Sequence, residues 1–298
     1  MTPHEPHPDH DRGLEFDLAT ILSRRRTLGV MLGAGTAAVL AACTPATQGG
    51  SAPASSATAT GSTTAGSAPS AASTATPSAT STVTRAFAEC GVEIPQETLG
   101  PYPGDGSNGP NVLEASGVVR RDIASSFGSS TATAEGVPLT LNLTLLDNTN
   151  GCGPLAGAAV YIWHCDRDGK YSLYDNGLEN ENYLRGVQEA DANGQVTFTT
   201  IFPGAYSGRW PHIHFEVFDS MSNTSAAGQV LAVSQVALTE AACKDVYAVQ
   251  GYESSARNFP RTTLQTDNVF GDDGGIYQLA TMTGSAAGGY TAALNVTV

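Results

Sequence analysis

Basic residues, closely spaced cysteines and long apolar stretches are all scarce in this sequence, and each shortage closes off a class of function. Lysine and arginine total 14 against 28 aspartates and glutamates, a net charge of −14. So acidic a chain is a poor partner for a phosphate backbone, and no nucleic-acid role is expected. No two cysteines have C-x-x-C spacing, which argues against a thiolate zinc site. No long amphipathic helical pattern and no internal repeat is present. The apolar run at residues 29–42 is too short to span a membrane comfortably.

That run belongs to a targeting segment. Ser23-Arg24-Arg25-Arg26-Thr27-Leu28 resembles a twin-arginine signal, and Leu40-Ala41-Ala42-Cys43 resembles a bacterial lipobox. Together they imply cleavage before Cys43, lipidation of its thiol, and an exported, membrane-anchored lipoprotein on the extracytoplasmic face. The alternative is an ordinary signal peptide with a chance cysteine. Residues 44–84 carry no charge and are almost wholly Ala, Ser, Thr, Pro and Gly. Such a segment cannot bury enough apolar surface to offset its ordering entropy, so a flexible tether is expected, dispensable for chemistry. The folded part then covers residues 85–298, enough for one well-packed core. Of the six histidines, His4, His7 and His10 fall in the leader, leaving His164, His212 and His214.

In the folded part, Leu139, Leu141, Leu143 and Leu145 alternate with polar residues, which predicts a half-buried strand over 137–147. Further strands are predicted over 158–165, 195–201, 212–218, 229–238 and 290–298, the last as an edge or closing strand. Residues 238–249 read as a short helix. Many strands joined by Gly-rich turns predict an all-β fold, a β-sandwich with few short helices. Residues 166–193 read as one long loop, and long loops on a sandwich carry function. Residues 219–228 read as an insertion. Cys90, Cys152, Cys165 and Cys243 allow two disulfides in three pairings, as suits an exported chain, with free buried thiols as the alternative. Cys90–Cys165 with Cys152–Cys243 is favoured, because Cys90 lies near residues 97–102 and Cys165 ends the strand leading to Tyr171.

Within strand 212–218, His212 and His214 point to the same face. They follow Pro203-Gly204-Ala205-Tyr206 and Gly208-Arg209-Trp210-Pro211. With Tyr171 they make a set of two phenols and two imidazoles that could hold a metal. Phenolate is a hard anionic donor that favours Fe(III), and imidazole suits iron as well. Zinc is the alternative metal, but tyrosine is an unusual ligand for it.

At these residues the chain resembles the intradiol ring-cleavage dioxygenases, the catechol and protocatechuate class. The matching segments are Pro154-Leu155-Ala156-Gly157-Ala158, Trp163-His164-Cys165-Asp166, Gly169-Lys170-Tyr171-Ser172, Tyr183-Leu184-Arg185-Gly186, Gly194-Gln195-Val196-Thr197-Phe198 and the 203–214 stretch. Glu97-Thr98-Leu99-Gly100-Pro101-Tyr102 resembles the family's substrate-side loop. The resemblance implies a non-haem Fe(III) held by Tyr171, Tyr206, His212 and His214. It further implies a catalytic role for Tyr206 and Arg209, and a substrate pocket lined by Arg209, Gln235 and Tyr102. The implied reaction cleaves a catechol ring with O2 between the two hydroxyl-bearing carbons, giving a cis,cis-muconate. The implied partners are a small aromatic diol and O2, with the membrane engaged through Cys43. His164 reads as a structural residue. Two rival readings remain: a surface-displayed, non-enzymatic β-sandwich binding module, and a metal-storage lipoprotein.

Overall fold

The computed structural model describes residues 91–224 and 230–298. The targeting segment, the tether, Cys43 and Cys90 lie outside them. In chain order the strands are β1 (Pro138–Asp147), β2 (Gly153–Pro154), β3 (Ala159–Trp163), β4 (Arg185–Glu189), β5 (Gln195–Ile201), β6 (His212–Phe218), β7 (Val230–Ala237), β8 (Thr281–Ser285) and β9 (Gly289–Thr297). Two short helices, α1 (Glu240–Val246) and α2 (Glu253–Asn258), lie between β7 and β8. Among the described residues no helix is long and apolar enough to cross a membrane.

The strands form two sheets. One has the order β2-β1-β9-β8, with β5 also paired to β1; the other runs β4-β3-β6-β7. The leucine alternation in β1 has the expected result: Leu139, Leu141, Leu143 and Leu145 are all buried. Each contributes about 1.5–3 kcal/mol by leaving water. They join Val160, Ile162, Phe198, Ile213, Phe215 and Val217 in the core between the sheets. The fold is a β-sandwich, as the strand pattern predicts.

β3 and β6 are buried on both faces. Alternation sends Val160, Ile162, Ile213, Phe215 and Val217 into the sandwich core. It sends Tyr161, Trp163, His212, His214 and Glu216 to the opposite face. There Tyr161 and Trp163 pack with Leu99, Tyr102, Val112, Leu113 and Val118, so the stretch before β1 covers this face and keeps it from water. A dry compartment therefore lies outside the sandwich core, and both histidines are in it.

Three expectations are corrected. β9 is not an edge strand: it runs parallel to β1 over Leu139–Leu146 and carries β8 on its other side. Residues 166–193 are not one loop, because Arg185–Glu189 forms β4 and pairs with β3. Its sequence, Arg-Gly-Val-Gln-Glu, lacks the apolar alternation that announces a strand. The disulfide pairing also fails. Cys165 and Cys243 are free and buried, whereas Cys152 is disulfide-bonded. Neither Cys90–Cys165 nor Cys152–Cys243 is therefore formed. Cys165 packs on the covered face of the second sheet, and Cys243 packs on α1 with Tyr247 and Phe259. Burial pushes both thiols above the ordinary thiol range, which keeps them protonated and inert.

Candidate metal centre

Each side chain of the centre is placed by a different local device. His212 and His214 stand on one face of β6, which is locked between β3 and β7. Tyr171 follows a tight turn in which Asp166 Oδ1 accepts hydrogen bonds from the backbone N–H of Asp168 and Lys170. Its own N–H donates to Asp175 Oδ2 at 2.6 Å. Tyr206 reaches Tyr171 because the chain before it presses on that turn. A Cβ at Gly204 would sit 2.7 Å from the Asp166 carbonyl oxygen and 2.6 Å from that of Arg167, so only glycine allows the approach.

Four donor atoms converge as a result. Tyr171 Oη is 3.4 Å from Tyr206 Oη, Tyr206 Oη is 3.2 Å from His212 Nε2, and the two histidine Nε2 atoms are 3.1 Å apart. Donors bound to one ion at about 2 Å stand roughly 3–3.4 Å from one another, so this spacing fits a shared metal. Among the described residues no group of three His, Cys, Asp or Glu could hold a metal, so the phenols are what complete the set. His212 Nδ1 donates to the Trp210 carbonyl at 2.5 Å, which leaves the Nε2 lone pair facing inward. The His214 ring stacks on Trp163, with centroids 4.9 Å apart and planes within 6°. Its Nδ1 is buried without a hydrogen-bond partner.

The electrostatics suit the ligand role. Burial, then the nearby Arg209 charge, holds His212 below its ordinary pKa. Burial, then His212 and Arg209, does the same to His214. Both imidazoles are therefore neutral, the form that binds metal. Burial, reinforced by Tyr206, pushes the Tyr171 phenol well above its ordinary value. Only a strong cation would ionise it there, and loading would release protons. Tyr171 is 2% exposed, whereas Tyr206 is partly exposed and borders a polar cleft of about 640 Å3 with Lys170, Ser254 and Asn258.

Around the donors, Arg209 is buried and its Nη2 donates to Gln235 Oε1 at 2.6 Å. Gln235 stands directly opposite His214 in the β6–β7 register, so the hairpin closes the sequence distance opened by residues 219–228. Its amide nitrogen donates to the Thr98 carbonyl at 3.1 Å, tying in the 97–102 loop. Tyr102 is buried, its ring 5.0 Å from that of Tyr171. His164 stands apart from the donors. Its Nδ1 donates to the Cys165 carbonyl and its Nε2 accepts from Thr200 Oγ1, both at 2.8 Å. A second cavity, of about 720 Å3, is lined by Trp210, Tyr247, Phe259 and Leu264 and touches none of the four donors.

Comparison with known proteins bears on this geometry. A family model described as "Dioxygenase" matches residues 109–224, a span that contains all four donors and Arg209. The solved intradiol ring-cleavage dioxygenase of Tetranychus urticae is 27% identical, with a TM-score of 0.51 over 61% of this chain and 87% of that one. These likenesses support the intradiol dioxygenase family. The chlorocatechol 1,2-dioxygenase of Pseudomonas sp. (strain P51) is 31% identical over 87 residues, 23% of this chain and 34% of that relative. The catechol 1,2-dioxygenase 2 of Acinetobacter lwoffii is 37% identical over 54 residues, 18% of this chain and 19% of its own. The matched stretches thus span about a third or less of the curated relatives' length.

Sequence reasoning missed two charged residues. Asp267 is buried, and its Oδ2 accepts from Arg209 Nε at 3.0 Å. Burial alone would raise its pKa. The Arg209 charge and the backbone N–H groups of Phe270 and Trp210 outweigh that and hold it below the usual carboxylate value. Arg185, at 1% exposure, donates to the carbonyl oxygens of Tyr102, Pro103 and Ser172 and to the hydroxyls of Tyr161 and Ser172. Asp267 had no sequence signal, lying far from Arg209 in a turn-rich stretch. Arg185 was visible only as part of a motif.

Proposed function

We propose that this protein is a non-haem Fe(III) intradiol dioxygenase that cleaves a catechol-type ring with O2 to a cis,cis-muconate. The observation that carries the reading is the convergence of two phenols and two neutral imidazoles, each donor 3.1–3.4 Å from the next. Two phenolates, two neutral imidazoles and a hydroxide would balance Fe(III), which makes a buried ion tolerable. The chain would hold the metal through Tyr171, Tyr206, His212 and His214. When bound, Fe(III) would supply Lewis acidity that favours ionisation of the catechol and its reaction with O2.

The side chains divide the remaining work. Tyr206, partly exposed and on a Gly-rich loop, would serve as the general base, its phenolate taking a proton from a catechol hydroxyl. Tyr171, His212 and His214, all buried, stay in place and fix the geometry. Arg209 stabilises negative charge developing on the substrate, and Gln235 sets its direction. Tyr102 closes the pocket beside Tyr171. The covered face of the second sheet excludes water from the reacting ring. We also propose export and anchoring through Cys43, supported by the twin-arginine-type and lipobox-like segments.

Iron analysis with oxygen uptake tests the reading. Iron-loaded protein is expected to be red to burgundy, through charge transfer from tyrosinate, and to consume O2 with one or more of catechol, protocatechuate, hydroxyquinol and alkylcatechols. Colourless, iron-free protein would point instead to a binding module. Colour that catechol leaves unchanged, with no oxygen uptake, would point to metal storage.

A further inference from the structure

We propose that Asp267 is a positioning residue of this site, fixing where the Arg209 guanidinium points. The inference rests on the proposed function, which gives Arg209 its task. Arg209 sits in the Gly-, Pro- and Ser-rich loop before β6, where no strand ladder holds the backbone. Its side chain is nonetheless 2% exposed and that of Asp267 is fully buried. A buried guanidinium is tolerated only when paired and hydrogen-bonded.

The pairing is built from both ends. Asp267 Oδ2 accepts from Arg209 Nε at 3.0 Å and from the Trp210 N–H at 2.6 Å. Its other oxygen accepts from the N–H groups of Val269 and Phe270 at 2.9 and 3.0 Å. Three backbone donors thus fix the carboxylate before it meets the arginine. At the far end, Arg209 Nη2 donates to Gln235 Oε1 at 2.6 Å, and Gln235 is anchored on Thr98. A guanidinium clamped at Nε and Nη2 has lost the rotamer freedom of an ordinary loop arginine. Its charge is aimed before substrate arrives, and such preorganisation is what makes electrostatic stabilisation effective. The Gln235 end lies on the strand position facing His214, which directs the arginine toward the donors.

A double-mutant cycle on the full-length, iron-loaded protein tests this. Asp267→Asn, Arg209→Gln and the double variant are compared by iron content, thermal midpoint, kcat and KM for catechol. Asp267→Asn is expected to keep iron within about twofold of wild type while kcat falls about 100-fold, with KM much less affected. The double variant should be no slower than Arg209→Gln alone within about threefold, because the aspartate acts through the arginine. It should also unfold at a higher temperature than Asp267→Asn, which leaves a buried charge uncompensated.

Near-wild-type turnover in Asp267→Asn, or losses that multiply in the double variant, would overturn the inference. Loss of iron in Asp267→Asn would overturn it too, moving the role to Trp210 and His212. If Asp267→Asn does not fold, Arg209→Gln against the neutral double variant carries the comparison. If wild-type protein turns over no catechol, the proposed function fails, while the thermal midpoints still report the clamp; midpoint changes that simply add would dismiss it.

Discussion

Tyr206→Phe is expected to retain iron and lose turnover, whereas Tyr171→Phe loses iron. The two phenols are 3.4 Å apart yet sit in different surroundings. Tyr171 is buried between the rings of Tyr102 and Tyr206, on a turn pinned by Asp166. Its phenolate would be permanent, so its loss leaves the ion short of one negative charge in every state. Tyr206 has the cleft beside it and room to move. Removing its hydroxyl deletes the proposed base while three ligands remain, and kcat should fall by about 10²–10⁴. His212→Ala and His214→Ala should each lose iron outright, because both rings are carried on a strand paired on both sides. Metal analysis beside oxygen uptake reads all four variants. Full iron and full activity in both tyrosine variants would sink the ligand assignment.

Arg185→Met should destabilise the protein by about 3 kcal/mol and weaken substrate binding, although Arg185 touches none of the four donors. Its guanidinium is the joint between β4, the Tyr171 turn and the loop that ends in Tyr102. Nη2 bridges the carbonyl oxygens of Tyr102 and Ser172, at 3.0 and 2.9 Å. Nη1 reaches Pro103 at 2.8 Å and Nε reaches Ser172 Oγ at 3.0 Å. Methionine fills part of the volume but leaves buried carbonyls without donors. Pro103 keeps the Tyr161 hydroxyl at 2.7 Å, which limits the cost there. Freed of its anchor, Tyr102 would lose its fixed place against Tyr171, so KM should rise more than kcat falls. Arg185→Lys should recover little, since one ammonium cannot span the same acceptors. Urea unfolding and catechol kinetics check it; unchanged stability would show that the joint carries no load.

Much of this molecule was legible from residue pattern alone. Period-two alternation placed β1, β5 and β6 and put His212 and His214 on one side of a strand. That follows because side-chain direction in a strand is a local property of the backbone. Tyr171 and Tyr206 were marked out differently, by the resemblance of the segments around them to the intradiol dioxygenases. Tertiary structure decided what depends on who pairs with whom. β4 was invisible because Arg185 and Gln188 break the apolar pattern, and only pairing with β3 makes it a strand. β9 became an interior strand because β1 accepts it in parallel, a pairing no local signal encodes. The cysteines went the other way: spacing permits three pairings, and packing leaves Cys165 and Cys243 as buried thiols. The carboxylate behind Arg209 is the plainest case. Asp267 is one acidic residue among many in the sequence, and burial beside a guanidinium brought in by a distant loop is what sets it apart. Local chemistry can nominate donors, but a charge partner is chosen by desolvation, which exists only once the chain is folded.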